Sequence, residues 1–273
     1  MSVFVTPKGA LELRELHTMA EMESAEQIQL VVWGAEIHPH PKEMLIPIQH
    51  EGGLLAGAFT AQGELVSMVF GFPTRDPAVQ HSQMLATVPA WRGNGIAAQL
   101  KWFQRDWCLA RGIQTVRWTV DPLRAVNAEL NYRFLGAISN QYLPDYYGAM
   151  QGIDAGAPTD RLLMVWELAG RRAAQRAAAT PPDQGFPAAQ YAFETDGDTP
   201  LDPQPGLDGP VLIRLPEDFI QLSRQDPALA LAWRSQTRAL FQAYFARGYR
   251  ASEFTRVGGP ACLLEPQEGA NVD

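Results

Sequence analysis

Cysteine is scarce: Cys108 and Cys262 are the two in 273 residues. Neither stands in a Cys-x-x-Cys or Cys/His spacing, which excludes a disulfide framework and a zinc ribbon and points to a reducing, cytoplasmic setting. Long apolar runs are also missing, and no uncharged stretch approaches the about 18 residues that cross a bilayer. The first sixteen residues carry Pro7, Glu12 and Arg14 where an export signal needs a continuous apolar segment, so no membrane is expected. Basic charge is short, with 22 Lys and Arg against 30 Asp and Glu and a net charge of −8. Broad nucleic-acid binding depends on many phosphate-neutralising cations, so nucleic acid is not an expected partner. His38 and His40 lie two apart between prolines, but nothing completes a ligand set and no metal is expected. With proline on both sides they read as a mobile surface loop, and His38 is kept as a candidate binding residue.

What is present is an apolar pattern that alternates between helix and strand periods from Ala10 to Gly170. Leu11 and Leu13 mark a strand, and Thr18 caps a helix reaching Trp33. Lys42 to His50 reads as a short helix. Leu54–Thr60 and Leu65–Phe72 pair as a hairpin across Ala61-Gln62-Gly63. Ser82 to Val88 is a strand, Gly95 to Arg111 a helix stopped by Gly112, and Thr115 to Val120 a strand. A short helix ends near Gly136, and strands follow near Ala137–Leu143 and Arg161–Leu168. A strand, helix, strand order of this kind implies at least one parallel pair in a mixed sheet. The class is α/β, or α+β with a mixed sheet.

Residues 1–170 then read as one domain and 171–209 as an Ala/Arg helix with a proline-rich linker. Residues 210–273 form a β-α-β-β extension, with strands at Val211–Leu215, Tyr249–Thr255 and Ala261–Leu264. Between them Asp226–Arg247 is an amphipathic helix. About sixty residues is small for an independent domain, so the extension packs on the main body or on a second subunit.

The segment Arg92-Gly93-Asn94-Gly95-Ile96-Ala97 joins a strand to a helix. Glycines at such a junction let an anion approach several backbone N–H groups at the positive end of the helix dipole, with Arg92 adding charge. A bare Gly-x-Gly is equally a tight turn before a helix. A Walker loop would need Gly-Lys-Ser/Thr, which is absent, and Ala98 fills the third glycine of a dinucleotide fingerprint.

The string from Leu85 to Ala97 resembles motif A of the GNAT acyltransferases, whose loop reads Gln/Arg-x-x-Gly-x-Gly/Ala. Asp121-Pro122-Leu123, Asn127-Ala128, Asn131, Leu135-Gly136-Ala137, Tyr147-Gly148-x-Met150, Thr159-Asp160-Arg161 and Trp233-Arg234-x-x-Thr237-Arg238 extend the similarity to a less-studied subgroup. Some of its members are encoded near enzymes of N-acylamino acid metabolism. The resemblance implies a twisted, splayed mixed sheet flanked by helices, with acetyl-CoA or another acyl-CoA such as succinyl-CoA as co-substrate. Leu85, Thr87 and Val88 would line pantetheine and polarise the thioester carbonyl through backbone groups. Arg92, Gly93, Asn94, Gly95, Ile96 and Ala97 would hold the pyrophosphate, with Asn127 also on the cofactor.

Direct transfer needs a base for the amine and an acid for the thiolate. The family's usual strand glutamate is missing between Ser82 and Val88. Tyr132, four residues before Gly136, stands where the acid is expected and is equally a packed aromatic. His81 and Ser82 are the nearest titratable or hydroxyl groups to the proposed thioester, although Gln83 replaces the histidine common in the subgroup. Tyr147 and Arg161 are candidates for the substrate, with Arg161 either clamping a carboxylate or pairing with Asp160. Lys101, Arg105 and Arg111 face water or the CoA 3′-phosphate. The expected reaction is acyl transfer to a small-molecule primary amine, by a homodimer joined through the Trp233–Phe245 helix. A protein or peptide N-acetyltransferase and a non-catalytic acyl-CoA-binding protein are the alternatives.

Overall fold

The computed structural model describes residues 2–148 and 158–267; Met150, quoted above, falls outside them. These residues gather into two compact units. The first contains 2–118 and Glu167–Ala169, and the second contains 119–148, 158–166 and 170–267. The division thus falls at Trp118, within a strand, where the sequence placed a domain boundary at 170.

The first unit runs β1 (Ser2–Thr6), β2 (Gly9–Glu15), α1 (Met19–Trp33), α2 (Lys42–His50), β3 (Leu54–Phe59), β4 (Leu65–Pro73), β5 (Val79–Thr87), a 3₁₀ turn at Pro89–Trp91, α3 (Ile96–Leu109) and β6 (Thr115–Val120). Its strands lie in sequence order, antiparallel through β5, and β6 joins β5 in parallel. The right-hand partner is parallel because α3 carries the chain back across the sheet. β1, not foreseen in the sequence, pairs with β2 across the Pro7-Lys8 turn.

α1 begins where Thr18 and Glu21 form a reciprocal capping box. With α2 it covers one face of the sheet, burying Met22, Ala25, Ile28 and Leu45 against Leu55, Phe59, Met68, Phe70 and Met84. α3 covers β3, β4 and β5. The β4/β5 ladder carries one extra residue. Gly71 faces Ser82 and Phe70 faces Met84, so Gln83 is bulged out and the side chains of β5 change faces there.

Before the bulge, β5 sends polar side chains under α3. Gln104 Nε2 donates to Gln80 Oε1 at 2.7 Å, and Ser82 Oγ donates to Gln104 Oε1 at 3.2 Å. Lys101 Nζ donates to Gln104 Oε1 at 2.7 Å and Ser82 Oγ at 3.1 Å, and lies 4.0 Å from the Trp118 ring centre. Lys101 is only 2 % exposed, so the expected solvated lysine is in fact a core residue. Arg105 is also tied down, its Nε donating to Leu168 O at 2.7 Å. Burial pushes the Lys101 ammonium down to about 7.

The second unit runs α4 (Ala125–Ala128), a π-helical turn at Glu129–Phe134, β7 (Ile138–Leu143), β8 (Arg161–Glu167), α5 (Arg171–Ala178), β9 (Gln190–Tyr191), β10 (Thr195–Asp196), β11 (Thr199–Pro200), β12 (Val211–Arg214), α6 (Phe219–Gln225), α7 (Pro227–Ala246), β13 (Tyr249–Thr255) and β14 (Ala261–Pro266). Its sheet order is β8-β7-β13-β14-β12-β9. β13 of the C-terminal extension pairs with β7, and α7 packs on both. The extension therefore completes this unit's core. The proline-rich stretch is strapped along α7: Trp233 Nε1 donates to Asp198 O at 2.8 Å and Tyr244 Oη to Gln204 O at 2.7 Å. Trp233, Leu240 and Tyr244 are buried within the chain.

Two ion pairs anchor α7. Arg234 grips Asp121 in a bidentate pair at 2.8 and 2.6 Å, both side chains buried. Arg238 grips Asp160 at 2.8 and 2.5 Å, while Tyr142 Oη donates to the same carboxylate at 2.6 Å. Burial would raise the Asp160 carboxyl, but Arg238, Tyr142 and the Asp145 amide outweigh it and hold the group below the ordinary carboxylate range.

Two outcomes are expected in urea denaturation. Arg234→Ala strands a buried carboxylate and should cost about 3–5 kcal/mol, much of it regained when Asp121→Leu accompanies Arg234→Met. Lys101 carries its proton to about 10.5 when unfolded and to about 7 when folded. Between these values the unfolded chain binds the extra proton. Stability relative to Lys101→Met should therefore rise with pH, by about 1.4 kcal/mol per unit, from pH 7 toward 10.

Candidate functional site

The glycine loop Arg92–Ala97, the candidate phosphate site, lies in the first unit between β5 and α3. Gly93 and Gly95 both take φ of +76°, a conformation costly for residues with a Cβ. A Cβ at Gly93 would meet nothing within 4 Å, and one at Gly95 only Phe4 Cζ at 3.7 Å. The glycines answer to backbone conformation and to close approach, and not to crowding. Asn94 Nδ2 braces the turn by donating to Trp91 O at 3.2 Å and Arg92 O at 3.1 Å. Arg92 Nε donates to Thr87 O at 3.1 Å, which holds its guanidinium back toward the strand end.

α3 starts with Gly95 as its N-cap and without a side-chain cap. The first intrahelical bond is Gln99 N–H to Gly95 O at 3.1 Å. The amides of Ile96, Ala97 and Ala98 precede it, so they remain for an anion in the field of a fourteen-residue helix.

The strand leading into this loop has a free edge. Parallel pairing of β5 with β6 covers Val79↔Thr115, Gln80↔Val116 and His81↔Arg117 and, among the described residues, goes no further, while β5 continues to Thr87. Val88 N–H bonds Val66 O of β4. By the alternation of an antiparallel ladder, the backbone groups of Leu85 and Thr87 then point away from β4, to the open side. Thr87 O, the acceptor of Arg92 Nε, is one of them. A pantetheine arm with its two amides can be held on such an edge as an added strand would be.

On the α1/α2 face the bulge gathers three side chains. His81 stacks on Phe72 with ring centres 4.9 Å apart, and Gln83 bonds His81. Gln83 Nε2 lies 3.4 Å from His40 Nε2. Burial lowers the pKa of both histidines; for His81 the charges of Arg117 and Lys101 lower it further. Both rings are thereby kept neutral near pH 7. His38 is exposed, and it is His40 that the loop turns inward. The sequence missed His40 because two prolines and two histidines carry no sign of which ring faces the sheet.

Ser82 is corrected as well. The bulge at Gln83 puts its hydroxyl on the α3 face, in the seam with Gln104 and Lys101, and away from His81. Cys108 closes that seam, its thiol pushed up to about 12 chiefly by burial, so it is no nucleophile.

The remaining expected residues belong to the second unit. Tyr132 is 1 % exposed within the π-helical turn, its hydroxyl without a partner among the described residues and its pKa raised well above the ordinary tyrosine value by burial. It stays protonated at any physiological pH. π-Turns recur at functional sites, because the extra residue re-aims the side chains that follow. Asn127 is half-buried just before that turn. Tyr147 and Arg161 are brought together, with the guanidinium carbon 5.2 Å from the ring centre. Tyr147 Oη lies 2.8 Å from Thr119 Oγ1, and Arg161 NH1 donates to Asp160 O at 2.9 Å while standing 3.9 Å from Asp121. Among the described residues no cluster of His, Cys, Asp and Glu could hold a metal ion.

No curated protein sequence matches this chain significantly. Among solved structures it is similar to the ribosomal-protein-S18-alanine N-acetyltransferase of Escherichia coli, with 18% identity over 59% of this chain and 97% of that one and a TM-score of 0.48. It is also similar to an aminoglycoside 6′-acetyltransferase type Ii, with 18% identity over 59% and 99% and a TM-score of 0.49. The NatC complex bound to Gag peptide and CoA shows 15% identity over 57% and 98% and a TM-score of 0.45. Residues 18–136, which include α1, the bulged strand, the glycine loop and α3, match the model of the Acetyltransferase (GNAT) family.

Proposed function

We propose that this protein transfers the acyl group of acetyl-CoA, or of a larger acyl-CoA such as succinyl-CoA, to a primary amine on a small molecule, with an amino acid as the leading acceptor class. The observation that carries the reading is the junction of a free strand edge with an uncapped helix start. The edge at Leu85 and Thr87 suits the amides of pantetheine, and the loop Arg92–Ala97 suits the pyrophosphate. Val88 lies between these two parts.

The chemistry asked of the chain is modest. An amine held beside the thioester gains from proximity, and backbone N–H groups at the bulge would stabilise the oxyanion that forms on the carbonyl. His81, stacked on Phe72, is assigned to positioning groups on the acceptor side.

A small acceptor is favoured over a peptide by the loop between α1 and α2. Gln29, 1 % exposed, accepts from His40 N–H at 2.8 Å and donates to His40 O at 3.1 Å, which pins the loop over β5. Arg161, beside Tyr147, is the guanidinium assigned to an acceptor carboxylate.

Calorimetry with CoA and thiol release from acetyl- and succinyl-CoA, each with pooled amino acids and polyamines, test the reading together. Wild-type protein should bind CoA and release thiol only when an acceptor is present. Gly95→Leu forces a side chain into a positive φ and into the path of the diphosphate. It should weaken CoA binding by on the order of a hundredfold, about 3 kcal/mol, while the backbone strain lowers folding stability by only about 1–2 kcal/mol and leaves the protein folded. Binding without thiol release from any acceptor would replace the transferase with a CoA-binding protein. Equal affinity in Gly95→Leu would remove the loop from the site.

A further inference from the structure

The sequence lacks the carboxylate that this kind of strand usually offers as a base, and β5 from Val79 to Thr87 holds none. The geometry points to His40, contributed by the loop between α1 and α2, as the catalytic base that takes the proton of the attacking amine. This assignment rests on the acyl-transfer reading above.

Three features converge on this residue. The first is that its backbone is held on both sides by one buried side chain: Gln29 Oε1 accepts from His40 N–H at 2.8 Å, and Gln29 Nε2 donates to His40 O at 3.1 Å and to Ala25 O at 3.0 Å. A buried amide spent on fixing a loop residue is a substantial commitment, since each unmade bond there would carry a desolvation cost. The neighbouring His38 is exposed and has no such anchor. The second is where the ring is delivered. It lies 6.2 Å from the Phe70 ring centre, and Phe70 is one of the two β4 residues that flank the bulge. Its Nε2 approaches Gln83, the bulged residue itself.

The third feature is the state of that nitrogen. The Gln83 amide nitrogen donates only, so His40 Nε2 is the acceptor and carries a lone pair toward β5. At 3.4 Å the contact is long and weak, and a substrate amine can replace it. Around the ring, α1 offers Glu23 and Glu26 and α2 offers Lys42. Lys42 Nζ pairs with Glu23 at 2.7 Å, and Glu26 accepts from the backbone N–H of Lys42 at 3.1 Å. β5 offers His81, reached through Gln83, and β4 offers only Phe70 and Phe72. Burial is what keeps His40 neutral. His81, stacked on Phe72 and bonded by Gln83, is the positioning residue of the pair.

The step balances without a further reactant. The amine nitrogen bonds to the thioester carbonyl carbon, and the ammonium so formed passes one proton to His40 Nε2. Collapse of the tetrahedral species breaks the carbon–sulfur bond and expels the thiolate. The proton then returns from the imidazolium through water to the thiolate, which leaves free thiol, an amide and a neutral histidine.

His40→Asn keeps a polar side chain of similar reach and removes the base. With acetyl-CoA and the amino acid and polyamine pool, kcat should fall by at least about a hundredfold while the calorimetric affinity for CoA stays within twofold. The wild-type kcat should also show an acid limb with an apparent pKa below the ordinary histidine value of 6.5, absent from His40→Asn and retained in His81→Asn. Gln29→Leu, which releases the loop but leaves the ring intact, should give an intermediate loss. If wild-type protein turns over and His40→Asn keeps both its kcat and the acid limb, the assignment fails while the transferase reading stands. If wild-type protein binds no CoA, or binds it and releases no thiol, both fail.

Discussion

The first unit depends on one irregularity, the extra residue that β5 carries against β4. A strand alternates its side chains strictly, so a single inserted residue exchanges the faces served on either side of it. Before Gln83 the buried positions Gln80 and Ser82 are polar and feed the seam under α3. After it Met84 and Ala86 are apolar and join the core under α1 and α2. The bulged residue belongs to neither set, and it meets His40 and His81 on the open side. Without the bulge, Met84 would share the face of Ser82 and lie among glutamines.

The same stretch frees the edge on which the functional reading rests. Antiparallel pairing on the β4 side is complete to Thr87, and parallel pairing on the β6 side stops at His81. Unsatisfied backbone groups at a strand edge are costly when buried and useful when a ligand with its own amides can satisfy them. The loop that follows continues the arrangement: two left-handed glycines turn the chain, and a helix without a side-chain cap presents its first amides.

The second unit is held by charge as much as by apolar packing. Asp121 and Asp160 lie far in sequence from Arg234 and Arg238, and both pairs are bidentate. The Trp-Arg-x-x-Thr-Arg segment therefore marks the inner face of α7: one turn separates the two arginines, which places them on the same side of the helix. Helix, strap and closing strands cannot be removed from this unit without exposing those carboxylates, which is why the segment beyond residue 170 is not a detachable appendage.

The sequence by itself determined the elements of the first unit from β2 onward and the glycine turn that opens α3. Their signals are local: a capping box at Thr18, glycines at 93 and 95, the 3.6-residue period of α3 and the alternation in β6. The absence of a strand carboxylate was legible in the same way. Tertiary structure decided the rest. β1 is too short to declare itself, the proline-rich stretch owes its place to α7, and Lys101 is buried although its type is usually solvated. Ser82 turns toward α3 and His40 toward β5 for reasons that lie outside their own segments. Which face a side chain serves depends on the register between two strands and on an amide, Gln29, eleven residues away in the chain. Such relations are set by pairing and packing across the sheet, where no local pattern of residues records them.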